Sequence, residues 1–246
     1  MSTITGVEFR PLAIPATMQD DGADDFAAMV VVRNAIYREI SGHGDHDVAA
    51  DELLPHYQPD EDEIRLSWLI LADGSPVGRI GLDLPVEGES RVAYMLVELL
   101  RRVHRRGIGS AAYALVEDIA RSHGRTVIQS WAEHPDIAGP RLEAPTGFGS
   151  VPADEPATRF YLHHGFTLEQ IERNSALNLH APFDEIERLL EVARAASTDY
   201  RVVSWEAPTP PDFVEGYGWM KSRMVTDAPA AALEFDEEEW DAARVA

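Results

Sequence analysis

The chain has 246 residues, 43 Asp and Glu against 21 Lys and Arg, and a formal net charge of -22 at pH 7. Hydrophobic residues make up 45%, enough to build a core rather than a disordered chain. There is no cysteine, which excludes disulfides, thiolate zinc sites and a cysteine nucleophile, and the acidity argues against nucleic acid as the main partner.

Along the chain, a strand is expected over residues 7–14, ended by Pro15. Asp24 and Asp25 then open a helix whose apolar positions are Phe26, Met29, Val30, Ile36, Tyr37 and Ile40, with Gly42 as its stop. A short helix is expected over 47–56. Three strands follow over 64–72, 76–84 and 91–99, with DGSP and VEGES as turns. Ile108, Ala112, Leu115 and Ile119 recur at helical spacing, and Gly124 caps that helix. Another strand is expected over 126–131, then a long Pro- and Gly-rich loop over 133–155. ATRFYLHHGF gives a short helix ending at Gly165, followed by a strand over 166–179, a helix over 182–196, a strand from Tyr200 and a helix over 213–224. The class is α+β with a mixed sheet, since strands outnumber helices and do not alternate strictly with them.

The start lacks a basic stretch followed by an apolar one, so no signal peptide is expected. The apolar runs AAMVVV and WLILA are too short to cross a bilayer. A cytoplasmic protein with no membrane partner is the expectation. HGDHD (His43, Asp45, His46, Asp47) has no distant ligands of suitable type, so no metal is expected.

The informative stretch is RRVHRRGIGS. Arg101, Arg102, Arg105 and Arg106 repel one another and run into Gly107 and Gly109 where a helix begins. Glycines there let backbone N–H groups converge on an anion, the helix dipole adds to the attraction, and arginines reach further oxygens. A pyrophosphate would satisfy every part. The dinucleotide fingerprint fits poorly, because Gly107 comes well after the strand ends and the next strand closes as VIQSW without an acid. There is no G-K-[ST], so a P-loop also fails.

The strand, the basic connection and the helix resemble the acetyl-CoA-binding motif of the GNAT superfamily of acyl-CoA N-acyltransferases, written Q/R-x-x-G-x-G/A. It falls on His104, Arg105, Arg106, Gly107, Ile108 and Gly109, with Ser110 next, and His104 departs from its first position. FYLHHGF resembles the second signature of that family, with Tyr161, Gly165 and Phe166 at its fixed places and Ala157 as the small residue a turn earlier. The strand order through about residue 180 is similar too. The resemblance implies a central, mostly antiparallel twisted sheet flanked by helices, and acetyl-CoA as co-substrate with an amine acceptor, which the acidic field would favour as a cation. Pantetheine would pair with backbone at Val97 and Leu99, where an N–H can polarise the thioester carbonyl. Tyr161 would protonate the departing thiolate, and the amine would attack directly. For the base, the inward positions of the strand look like Ala93 and Met95, which do not titrate, and Glu98 is expected to point away. Glu133, His134 or a chain of waters remain as candidates.

The resemblance implies a catalytic domain over 1–180 and a connecting helix over 181–198. Residues 199–246, opening on YRVVSWEAP, repeat the first strand and helix of the chain and resemble the start of a second such domain. That tail is expected to dock on the first domain or to join two chains as a homodimer, without supplying catalytic residues. The rival reading is a non-catalytic acyl-CoA sensor or assembly module with a degenerate site.

Overall fold

Asp73 and Gly74 close the hairpin at the centre of the sheet. Their φ values of 51° and 77° are the left-handed pair that lets a two-residue turn follow the twist of its strands. In this computed structural model the described residues are 4–59, 61–86, 90–180, 182–227, 230–236 and 238–245. They divide into two compact units, Met1–Gln170 with Ala230–Asp236, and Ile171–Pro229 with Glu237–Ala246.

The first unit holds a five-stranded sheet of β1 (Val7–Pro11), β2 (Glu63–Ala72), β3 (Ser75–Pro85), β4 (Val92–Leu99) and β5 (Val127–Ser130), side by side in that order. The first three pairings are antiparallel and β4–β5 is parallel. This is the expected α+β class with a mostly antiparallel sheet. The VEGES turn falls largely at 87–89, outside the described residues.

Alternate strand residues supply two separate cores. On one face Ile80, Leu82, Leu84, Ala93 and Met95 pack against Ile108, Ala112, Val116 and Ala120 of the helix α3 (Ile108–Ser122). Leu115 and Ile119, expected on that stripe, flank it. On the other face Leu69 and Leu71 meet Phe26, Met29 and Val30 of α1 (Ala23–Ser41). The short helix after α1 is shorter than its sequence pattern suggests. It is α2 (Ala50–Leu53), and the chain then tightens into a 3-10 turn over Leu54–Tyr57, where Pro55 lacks the N–H a longer helix needs. The long loop contains a small hairpin, β6 (Arg141–Glu143) with β7 (Ser150–Pro152). It leads to α4 (Pro156–His163), whose end is turned by Gly165 at φ 84°.

Two expected strands are absent. Residues 166–179 and 200–205 have no strand pairing. The first carries a run of charged and polar residues without two-residue alternation. In the second, Tyr200 and Val202 are exposed, and a strand needs a partner to persist.

The second unit contains α5 (Asp184–Ala196), α6 (Pro211–Asp227) and α7 (Ala242–Val245). On α6, Phe213 stacks on Trp205 at 5.4 Å and Tyr217 meets the same ring edge-on at 5.8 Å. Gly218 allows the chain at Trp240 to pass close, because a Cβ there would lie 2.5 Å from the Trp240 carbonyl oxygen. Lys221 and Arg244 lie over the Trp240 ring at 4.4 and 4.6 Å. Among the described residues, no helix is long and apolar enough to cross a membrane.

Candidate active site

β4 and β5 pair only as far as Met95 and Ser130, while β4 continues to Leu99 against β3. The two strands therefore fork. Leu100 donates its N–H to the Val77 carbonyl on the β3 side, and successive residues turn their backbone groups to opposite neighbours. Val97 and Leu99 accordingly turn theirs to the side that β5 has left. The ring of His104 reaches back, with Nε2 2.9 Å from the Leu99 carbonyl, and so occupies one of these groups.

Past the fork the arginines separate into two pairs. The Arg101 N–H donates to Glu39 at 2.7 Å and Arg102 donates to the Pro76 carbonyl at 3.3 Å, which ties the connection to its surroundings. Arg105 and Arg106 are exposed beside the start of α3, with Arg106 3.8 Å from Asp73. Arg105 and Gly107 both have positive φ, 61° and 79°, and such residues fold backbone N–H groups into an anion-binding concavity. The Ala111 N–H bonds the Gly107 carbonyl, so the N–H groups of Ile108, Gly109 and Ser110 lie ahead of the helix ladder. No side chain caps them and no acid stands in the first turn. These residues suit a pyrophosphate.

Gly109 also answers to packing. A Cβ there would lie 3.2 Å from the Phe160 ring, so α3 and α4 meet closely at this point. Ser110 Oγ is 3.2 Å from His164 Nε2, and the His164 ring lies 4.2 Å from that of Tyr113. Burial first, then the neighbouring His163, lowers the pKa of His164.

Tyr161 projects from α4 to the fork. Its hydroxyl is 2.7 Å from Ser130 Oγ and donates to the Trp131 carbonyl at 3.3 Å, while Ser130 Oγ donates to the Met95 carbonyl at 2.7 Å. One serine thus links both arms of the fork to the phenol. Burial pushes the Tyr161 hydroxyl up to about 12, Ser130 pulling it down and the Glu98 charge adding to the rise. Sequence reading missed Ser130. Its signal is a hydroxyl in line with the core-facing Ile128.

Glu98 does not point to empty solvent. It lies on the α1 face and accepts from Arg79 Nε at 2.7 Å, the side chains being 15% and 8% exposed. Arg79 also donates to the Tyr57 hydroxyl at 3.0 Å. Burial opposes the Arg79 charge, but Glu98 outweighs it and keeps the guanidinium strongly basic. Tyr37 on α1 is raised by burial, then by Glu98 and, further down, Glu133. Ala93 and Met95 are buried against α3 on the opposite face.

Glu133 and His134 leave β5 just past the fork. Glu133 is exposed. His134 Nδ1 lies 3.4 Å from Glu155, whose carboxylate accepts from the Ala157 N–H at 2.6 Å and caps α4. Burial raises the pKa of Glu155, but the neighbouring His134 imidazole and the N–H groups of the cap outweigh it and hold it below the ordinary value. Among the described residues, no group of acids and imidazoles is placed to hold a metal ion.

A forked five-stranded sheet with a basic, glycine-turned loop at the head of α3 is the fold of the GNAT acetyltransferases. Residues 32–139 match the acetyltransferase (GNAT) family model. It is similar in fold to a tandem GNAT protein from the clavulanic acid biosynthesis pathway, with 19% identity and a TM-score of 0.53 over 90% of this chain and 62% of that one. The chain thus spans less than two thirds of that protein. An aminoglycoside acetyltransferase from an uncultured soil metagenomic sample, solved with sisomicin, gives 14% identity and a TM-score of 0.46 over 71% and 97% of the two chains. The PaiA N-acetyltransferase from Thermoplasma acidophilum, solved with coenzyme A, gives 15% and 0.45 over 68% and 92%. No curated protein matches the chain in sequence.

Proposed function

We propose that this chain transfers an acetyl group from acetyl-CoA to the primary amine of a small molecule by direct attack of the amine. The observation that carries this reading is the Tyr161 hydroxyl held at the fork of β4 and β5 by Ser130. Acetyl-CoA, when bound, supplies the activated acyl group. The N–H groups of Ile108, Gly109 and Ser110, with Arg105 and Arg106, would hold its phosphates. The outward backbone of Val97 and Leu99 would orient the rest, with His104 fixing the end of the strand.

Tyr161 keeps its proton across the physiological range. A phenol at about 12 lies well above a free thiol at about 8.5, so it serves the departing sulfur first as a hydrogen-bond donor, and full transfer is uphill. For the base, His134 has a carboxylate beside Nδ1, an arrangement that orients an imidazole, and Glu133 adds negative charge near the fork. The net charge of -22 favours a cationic acceptor through its long-range field and disfavours nucleic acid. We read its site of action as cytoplasmic.

Residues 1–180 are read as the catalytic domain, 181–198 as a connecting helix, and 199–246 as the start of a second such domain, able to pair two chains as a homodimer. Helix α6 supports the last, and the unpaired stretch 200–205 counts against it. A non-catalytic acyl-CoA-binding module is the second reading, favoured by one observation: the one acid on the far half of β4, Glu98, is engaged by Arg79. Incubation with acetyl-CoA and a panel of amines, with products weighed by mass spectrometry, separates the two. Acetylated product supports the enzyme; tight CoA binding without product from any amine supports the binding module.

A further inference from the structure

Residues 230–236 lie far along the chain, yet they belong to the first unit and are anchored there at three points. The Gln129 side chain on β5 holds the backbone of Glu234 from both sides, donating to its carbonyl at 2.8 Å and accepting from its N–H at 2.6 Å. This imitates a strand partner with a side-chain amide. The Glu234 carboxylate accepts from Arg91 through Nε at 2.7 Å and Nη2 at 2.5 Å, a two-pronged geometry that fixes direction. The Ala232 N–H donates to Glu169 at 3.2 Å. Glu169 follows α4, Arg91 immediately precedes β4, and Gln129 is on β5. These are the three elements that converge on the fork.

Placement makes this contact consequential. Ile128 faces the α3 core and Ser130 reaches Tyr161, so alternation turns Gln129 to the opposite face, in register with Tyr94. Gln129 is 7% exposed, so losing Glu234 would leave a buried amide without partners, which is costly. The Arg91 carbonyl accepts the N–H groups of Thr126 and Val127 at 2.9 and 3.0 Å, tying that arginine to the root of β5 as well. β5 is only four residues long. Its next residue after Gln129 is Ser130, the one that joins Met95 to Tyr161.

We propose that residues 230–236 are a strap that positions β5 at the fork, with Gln129 and Glu234 as positioning residues that act on Tyr161 through Ser130. The catalytic part of this inference rests on the proposed function; the structural part does not. A charge swap tests it on the full chain. Arg91→Glu and Glu234→Arg should each raise amide exchange at least tenfold in residues 127–131 as well as in 230–236. The double variant should restore protection in both. With an acceptor in hand, each single variant should lower kcat several-fold with the KM for acetyl-CoA unchanged, and the double variant should recover it. Should the swaps fail to fold by circular dichroism, Glu234→Gln, which weakens only the ion pair, decides by the same exchange measurement. Fast exchange of 230–236 with residues 127–131 still protected would overturn the proposal, as would single variants that the double does not rescue. The exchange experiment needs no acceptor, so failure to find turnover counts against the functional reading alone.

Discussion

The Tyr161 hydroxyl and Ser130 Oγ sit 2.7 Å apart at the point where β4 and β5 separate. The serine also donates to the Met95 carbonyl, so the phenol is fixed relative to both strands before any substrate arrives. Preorganisation of this kind spares reorganisation during the reaction. Tyr161→Phe keeps the ring packing against Phe160 and Phe166 but removes the donor. CoA affinity should be unchanged by calorimetry, and turnover should fall about 10²-fold, the usual scale for a positioned acid. Unchanged turnover with a confirmed acceptor would make Tyr161 structural.

The raised pKa of Tyr161 gives a pH prediction with a definite sign. Its folded value of about 12 exceeds the free phenol's value of about 10. The neutral phenol therefore contributes stability fully below about 10 and loses it as pH rises through about 12. Activity should show no alkaline loss from this group near pH 10. A limb centred there that disappears in Tyr161→Phe would contradict the account.

Arg105 and Arg106 are exposed, so removing their charge should not destabilise the fold. Arg105→Asn with Arg106→Ala, the asparagine chosen because it tolerates positive φ, should weaken CoA binding more than tenfold, roughly 1.4 kcal/mol. The melting temperature should stay within a degree or two. Gly109 is a poorer probe, because any side chain there meets Phe160 and mixes packing loss with binding loss.

Glu155 both caps α4 and faces His134. Glu155→Ala should cost about 1 kcal/mol through the lost cap, visible in denaturant unfolding. Its pKa is depressed in the folded state, so its contribution is present above the ordinary glutamate range and lost as pH falls through the lower folded value. The variant and the parent should therefore converge in stability in acid. A difference that persists there would assign the loss to packing.

Much of the candidate site was legible because its residues are local in sequence. Arg105 to Ser110 lie on one loop and one helix start, and left-handed glycine turns and apolar periodicity read directly from residue order. The α6 helix was legible for the same reason. What stayed hidden depends on long-range placement. Ser130 gains its meaning only from the Met95 carbonyl and Tyr161, and Glu98 only from Arg79 across the sheet. The strand expected over 166–179 failed because pairing is decided by partners, and that stretch has no strand pairing. The place of residues 230–236 beside β5 had no signal in residue order.

The chain contains no cysteine, so coenzyme A released from acetyl-CoA is the sole thiol in a reaction mixture, and a thiol-reactive dye reads transfer without background. With a suitable primary amine, the account predicts dye signal in one-to-one proportion with acetylated amine, and a fall of about 10²-fold in its rate for Tyr161→Phe. Tight binding of coenzyme A with no thiol released above the spontaneous rate, for every amine offered, would contradict it.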